Sequence, residues 1–147
     1  MLEGYVRDTT HIYTVTPNRD IHGTKYSIPS SLTEGTNLAH DTYVSYEELP
    51  GATDCTPSQF LAMVDDSKEV TDDGVSYLVG HALGAGAGNR YDETIFVFKD
   101  YKPCTAIRYF IHYGAIENYP PGAVQAFDSV KLSHSLDAIR RTLAKSR

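Results

Sequence analysis

The chain has 147 residues, 41% of them hydrophobic, and a formal net charge of −6. A chain of this size and composition buries about two thirds of its unfolded surface, which excludes wholesale disorder. The negative charge argues against nucleic acid as a partner, because phosphate binding requires clustered Lys and Arg. No apolar run approaches the ~20 residues of a membrane span, so we expect a single domain over residues 1–147 with no membrane span.

Three strands are predicted in the first third of the chain. Each is rich in β-branched or aromatic residues and is stopped by turn residues such as Pro, Asn and Asp. These strands cover residues 11–16, 25–28 and 42–49.

A short helix is predicted after the third strand. Thr56 is a suitable N-cap, Pro57 suits the first helical position, and Gln59 would complete a capping box. The helix would run for about nine residues, and the polar sequence Asp65-Asp66-Ser67 would end it. A helix of this length requires packing against the sheet.

An antiparallel meander is predicted next. Asp73-Gly74 lies between residues 68–71 and 75–79, and this dipeptide is a strong signal for a two-residue hairpin. Residues 75–83 and 91–98 form the next strand pair, joined by the glycine-rich stretch 84–89. That stretch lacks the GxGxxG spacing of a nucleotide loop and precedes a strand, so a flexible hairpin loop is predicted.

Residues 104–113 predict the central strand of the sheet. Both faces carry aromatic or β-branched residues, which is typical of a strand covered on both sides. One face carries Ile107, Tyr109, Ile111 and Tyr113, and the other carries Ala106, Arg108, Phe110 and His112. Arg108 and His112 lie on a largely covered face and therefore require partners.

The C-terminal part predicts an irregular segment and then a long helix. The sequence NYPPG at residues 118–122 excludes helix and sheet interior. A helix capped by Asp128 or Ser129 follows. Its apolar side consists of Leu132, Leu136, Ile139 and Leu143. The side expected to face water consists of Lys131, Asp137, Arg140 and Lys145.

These elements predict an α+β fold, in which an antiparallel, meander-rich sheet of about six strands is flanked by a short helix and a long C-terminal helix. Their order is similar to the fold of the Mog1 and PsbP-like proteins. The segments CTPSQFL, AIRYFIHYGAIENYPPG and FDSVKLSHSLDAIRRTL resemble an uncharacterised family of small exported bacterial proteins, over roughly residues 26–143. The resemblance implies export and no particular activity, and the partners of Mog1 and PsbP do not transfer with a topology.

The two cysteines, Cys55 and Cys104, predict either a single disulfide or two buried free thiols. A disulfide closing this loop would stabilise the fold by roughly 4 kcal/mol. It would favour a periplasmic or secreted mature protein, whereas free thiols would favour the cytoplasm. Neither cysteine has a second Cys or His at zinc-ligand spacing, and the six His form no metal motif, so no metal or other cofactor is expected.

Arg108 and His112 form the most suggestive polar pair, since they lie on one face of the strand, two pleats apart. His81, Arg90 or Tyr77 could join them if the neighbouring strands pair nearby. Such a cluster would bind an anion or a carboxylate through the arginine fork. In the alternative interpretation both side chains have a structural role in the sheet. Arg108 would bind a carboxylate such as Glu93 or Glu117, and His112 would bind a backbone carbonyl.

We therefore expect a non-catalytic, exported accessory or binding domain of the bacterial cell envelope, monomeric or homodimeric. Its partner would be a protein or a small anionic ligand bound near the glycine-rich stretch. One alternative is a small thiol-dependent or hydrolytic enzyme that uses Cys55 or Cys104 with a His. Another is a structural subunit whose tyrosine-rich face forms an interface.

Overall fold

The computed structural model describes residues 3–146 and contains a seven-stranded antiparallel sheet with one α-helix. The strands are β1 (Val6–Thr16), β2 (Arg19–Ser27), β3 (Tyr43–Leu49), β4 (Asp66–Asp72), β5 (Val75–Gly86), β6 (Asn89–Phe98) and β7 (Cys104–Gly114), and the helix is α1 (Ser129–Lys145). The α+β class and the antiparallel sheet are confirmed, with seven strands where about six were expected.

The sheet consists of two meanders that meet at its centre. Its strand order is β1-β2-β3-β7-β6-β5-β4, so the chain leaves β3, crosses to the far edge and returns strand by strand to β7. The last strand thereby pairs with β3, with Ser45 opposite Arg108. The predicted central position of the strand that begins at Cys104 is confirmed.

The predicted nine-residue helix after Thr56 is wrong. Only Pro57–Gln59 form a single turn of 3-10 helix, and no side-chain cap bond is made, because the Thr56 hydroxyl bonds to the Ser58 hydroxyl. Phe60 and the residue after it are buried side by side against the sheet, and β4 begins soon afterwards. A helix of this length is marginal without a cap, so the missing cap bond explains why the turn does not extend.

The glycine-rich stretch forms a tight hairpin instead of a flexible loop. Strand β5 continues through Gly86, which pairs with Asn89, the first residue of β6. The turn itself consists of Ala87 and Gly88, with φ of 51° and 82°. Positive φ at both turn positions matches the twist of the flanking strands.

Each face of the sheet has its own hydrophobic cluster. The helix face, covered by α1, carries a cluster that includes Val44, Tyr77, Phe98, Ile107, Leu136 and Ile139. The opposite face, called here the disulfide face, is covered in part by residues 50–65 and carries Ile21, Phe60, Leu61, Ile95, Val97 and Ala106. The strands at the centre are therefore covered on both sides, as predicted from their composition.

The long C-terminal helix is confirmed, with one error about its orientation. The Asp128 carboxylate accepts hydrogen bonds from the N–H groups of Val130 and Lys131, as an N-cap does. Arg140 was expected to face water but is buried, at 3% exposure. It lies one turn after Leu136, so the i, i+4 spacing of the apolar stripe was the signal for its burial.

Candidate functional site

Arg108 lies at the middle of the disulfide face and is fully buried. Its Nε and Nη2 atoms donate to the two oxygens of the Glu47 carboxylate at 2.7 and 2.9 Å. Nη1 donates to Glu93 at 3.0 Å, and Nη2 also donates to the carbonyl of Phe60 at 2.7 Å. All three guanidinium nitrogens therefore donate to groups within the protein.

The surroundings of this ion pair complete its polar contacts. The Tyr13 ring lies 3.4 Å from the guanidinium carbon of Arg108, and its hydroxyl donates to Glu93 at 2.8 Å. The Ser45 hydroxyl donates to Glu47 at 2.6 Å. Burial alone would lower the pKa of Arg108, but the Glu47 carboxylate raises it overall, so the side chain remains a cation. This network joins four strands and the covering segment, which assigns Arg108 to the scaffold.

His112 lies on the same face near the glycine hairpin, and its side chain is 16% exposed. Its Nδ1 lies 2.6 Å from an oxygen of Asp41, and its Nε2 lies 2.7 Å from the amide oxygen of Asn89. The imidazole stacks on the Tyr91 ring with a centroid separation of 4.5 Å. His112 thus links β7 to the hairpin and to the loop before β3 through side chains, where a backbone carbonyl had been predicted as its partner.

A row of aromatic rings continues from His112 across the disulfide face. Tyr91 lies 5.8 Å from Phe110, which stacks on Tyr43 at 4.9 Å with an interplanar angle of 13°. His11 contacts the other side of Tyr43 at 4.9 Å. Burial lowers the pKa of His11, whose Nε2 is buried without a partner in the described part of the chain. These rings pack against one another and thereby stabilise the sheet.

Tyr77 belongs to the core of the helix face. It is 1% exposed, and its hydroxyl accepts a hydrogen bond from Arg140 at 3.2 Å. Arg140 also donates to the Tyr109 hydroxyl at 2.8 Å and to Asp72 at 2.9 Å. Burial raises the pKa of the Tyr77 hydroxyl. Tyr77 is therefore a partner of a second buried arginine and has no access to a ligand.

His81 lies half-buried on the helix face. Its Nε2 is 2.6 Å from Asp92, and its Nδ1 is 4.0 Å from Asp65. In a nucleophilic triad the imidazole acts as the base and a carboxylate holds it in place. The sulfur of Cys104 lies on the disulfide face, on the opposite side of the sheet. His81 therefore cannot activate that sulfur.

The predicted disulfide is confirmed. Cys55 and Cys104 are joined by an S–S bond of 2.04 Å, with a Cα–Cα distance of 5.5 Å. The bond ties the covering segment to the first residue of the central strand. His112 lies eight positions after Cys104 in the same strand, a distance of about 26 Å at the usual rise per residue. A cysteine–histidine pair is not formed at either histidine considered from the sequence.

Arg90 is the predicted residue that reaches an open cleft. It lies on the helix face at the start of β6, opposite Tyr113 of β7. The cleft has a volume of about 330 Å³, and the two side chains line it together with Phe127 and Glu117. Within residues 3–146 the Arg90 side chain makes one hydrogen bond, from Nη1 to the neighbouring carbonyl of Asn89 at 3.1 Å. Most of its donors therefore remain available to a ligand.

The roof of this cleft is the segment 115–127, of which residues 115–117 and 126–127 line the space on either side of the predicted irregular stretch 118–122. Asn37 holds that segment in place, since its side-chain amide donates to the Gly114 carbonyl at 2.7 Å and its oxygen accepts from the N–H of Phe127 at 2.9 Å. Arg90 was predicted from the sequence as a site residue, whereas Tyr113 and Phe127 were not predicted as lining residues. The alternation of β6 and β7 predicts that Tyr113 shares a face with Arg90, whereas the position of Phe127 depends on the path of the roof.

The five residues proposed from sequence as one binding cluster are divided between the two faces of the sheet. Arg108 and His112 lie on the disulfide face, and His81, Arg90 and Tyr77 lie on the helix face. Two of the five, Arg108 and Tyr77, are fully buried in internal networks. Arg90 therefore provides the best candidate for contact with a ligand.

Comparison with family models, with curated proteins and with solved structures finds no match for this chain. The similarity to Mog1, to PsbP and to a family of exported proteins therefore stays a prediction. Within residues 3–146 no helix is both long and apolar enough to cross a membrane. The same residues contain no group of three or more His, Cys, Asp or Glu side chains that could hold a metal ion.

Proposed function

We propose that this chain is a non-catalytic binding domain of the bacterial cell envelope that holds a small, carboxylate-bearing ligand in the cleft at Arg90. The observation that carries the proposal is the combination of an arginine with free donors and two aromatic rings in one open cleft. Small-molecule sites typically combine apolar walls with a few polar groups that orient the ligand. The arginine fork matches a carboxylate in both shape and charge.

Export to an oxidising compartment is supported by the disulfide. Cysteines in a reducing cytosol rarely remain bonded, whereas secreted and periplasmic domains retain such bonds. The bond closes a loop with a sequence separation of 49 and joins the central strand to a segment that covers a hydrophobic cluster. A periplasmic or secreted location is therefore part of the proposal.

The other hypotheses have less support. A thiol-dependent enzyme requires a thiolate, and both sulfurs are bonded to each other. A structural subunit with a tyrosine-rich interface requires tyrosines that face outward together. Four of the eleven tyrosines are buried, the other seven are half-buried, and they are distributed over both faces of the sheet. The tyrosines are therefore better explained as packing and hydrogen-bonding residues.

An NMR titration of the oxidised protein with acetate, benzoate and 4-methylpentanoate tests the proposed function. At least one carboxylate is expected to cause saturable shifts of the amide signals of residues 88–91, 113–117 and 126–127. Arg90→Gln should weaken the binding that these shifts report, whereas Arg7→Gln, which changes an exposed arginine elsewhere on the sheet, should not. Shifts that are absent, or that centre on another part of the protein, would remove the basis of the proposal.

A further inference from the structure

We infer that the ligand of the cleft at Arg90 is a free amino acid with an apolar side chain. The inference rests on the proposed function and extends it from a carboxylate to a zwitterion. It starts from the second charged residue of the cleft, Glu117, which lines the same space as Arg90. Neither residue forms an ion pair within residues 3–146, so both charges are available.

A cleft that contains one cation and one carboxylate discriminates against simple anions. A phosphate or sulfate ion would be attracted to Arg90 but repelled by Glu117. A ligand with a carboxylate and an ammonium group gains a favourable contact at both ends. In a free amino acid both groups are attached to the same carbon atom, which suits a small cleft.

The walls of the cleft define the rest of the ligand. The Tyr113 and Phe127 rings lie 5.1 Å apart between centroids, and Ile116 is 42% exposed at the rim. Apolar surface of this kind favours an aliphatic or aromatic side chain. The volume of about 330 Å³ is near the lower limit for ligand pockets, which favours one residue over a peptide.

The cleft is built on hydrogen-bonded elements, which favours a specific site. Arg90 and Tyr113 occupy opposite positions in the β6–β7 ladder. The roof is held by the Asn37 side chain and by the hydrogen bond from the Ala115 N–H to the carbonyl of Gly88 at 2.9 Å. A preformed site loses less entropy when it binds a ligand.

Three probes with the same apolar body separate the contributions of the two charges. L-Leucine carries both charges, 4-methylpentanoate carries only the carboxylate, and leucinamide carries only the ammonium group. NMR titration of the oxidised protein should give the tightest binding for leucine. We expect each single-charge probe to bind about three- to tenfold more weakly, since half-exposed charged hydrogen bonds have this strength.

Two variants then assign each charge to its residue. Arg90→Gln should weaken leucine binding and leave leucinamide binding unchanged. Glu117→Gln should weaken leucine binding to the affinity that the wild-type protein has for 4-methylpentanoate. Glu34→Gln is the control for charge alone, because Glu34 is exposed and lies outside this cleft. It should leave the binding of leucine and of leucinamide unchanged. If Arg90→Gln lowers the unfolding midpoint, Arg90→Lys keeps the charge without the fork and should give intermediate binding.

The outcomes distinguish this inference from the proposed function. If 4-methylpentanoate binds wild type as tightly as leucine and Glu117→Gln has no effect, the zwitterion inference is wrong, while a carboxylate site remains. Equal binding of inorganic phosphate would lead to the same conclusion. If no carboxylate shifts the amides of the cleft, both the inference and the proposed function are wrong.

Discussion

Removal of the Glu47 carboxylate tests whether the Arg108 network is part of the scaffold. Both side chains have 0% exposure, and the Glu47→Ala substitution would delete two charge-assisted hydrogen bonds, of 2.7 and 2.9 Å. The arginine would keep only Glu93 and the Phe60 carbonyl as partners. Breaking one side of a buried ion pair costs about 3–5 kcal/mol, because a charge is left uncompensated in the interior.

Urea unfolding of the oxidised protein, followed by circular dichroism, measures this loss of stability. Glu69→Ala is the matched control, because it breaks an exposed pair with Lys99 at 3.0 Å and should cost less than about 1 kcal/mol. The double substitution Glu47→Leu with Arg108→Met removes both charges and should recover most of the loss. A Glu47→Ala variant as stable as the control would show that Arg108 is not held as a scaffold residue.

Three further predictions concern the cover of the disulfide face and the helix. Reduction of the disulfide should lower the unfolding free energy by about 4 kcal/mol, and an unchanged urea midpoint would contradict this. Gly80→Ala should cost about 1–3 kcal/mol because its Cβ would lie 2.5 Å from Cβ of Pro57, whereas Gly86→Ala, with open space, should cost less in the same urea assay. Hydrogen bonds from Arg141 and the adjacent arginine lower the pKa of Asp72 from 3.8 to about 2. Its contribution to stability is therefore full above about pH 4 and is lost as the pH falls towards 2, so wild type and Asp72→Asn should converge in stability there.

The sequence predicted the strands well because their signals are local. Alternation placed Arg108 and His112 on one face, and the dipeptide Asp73-Gly74 marked the hairpin between β4 and β5. The helix after Thr56 failed for the opposite reason. Its capping pattern was also local, but the burial of Phe60 against the sheet determined the path of the chain.

The candidate site was harder to predict because it depends on contacts between distant segments. Glu47 carries no local signal for its role, since its pairing with Arg108 requires the β3–β7 contact across 61 positions. Arg90 was named from its strand, but the cleft also depends on Phe127, whose N–H donates to Asn37 across 90 positions of sequence. No local pattern carries that information.

The order of the strands has a consequence for how the chain acquires its structure. The first three strands are made early, yet β3 remains an open edge until β7, the last strand to be synthesised, arrives beside it. Exposed strand edges invite pairing with other chains, and non-local pairing is slow. A truncated chain that ends before β7 should therefore be prone to self-association, and the molecule gains protection only when its last strand is in place.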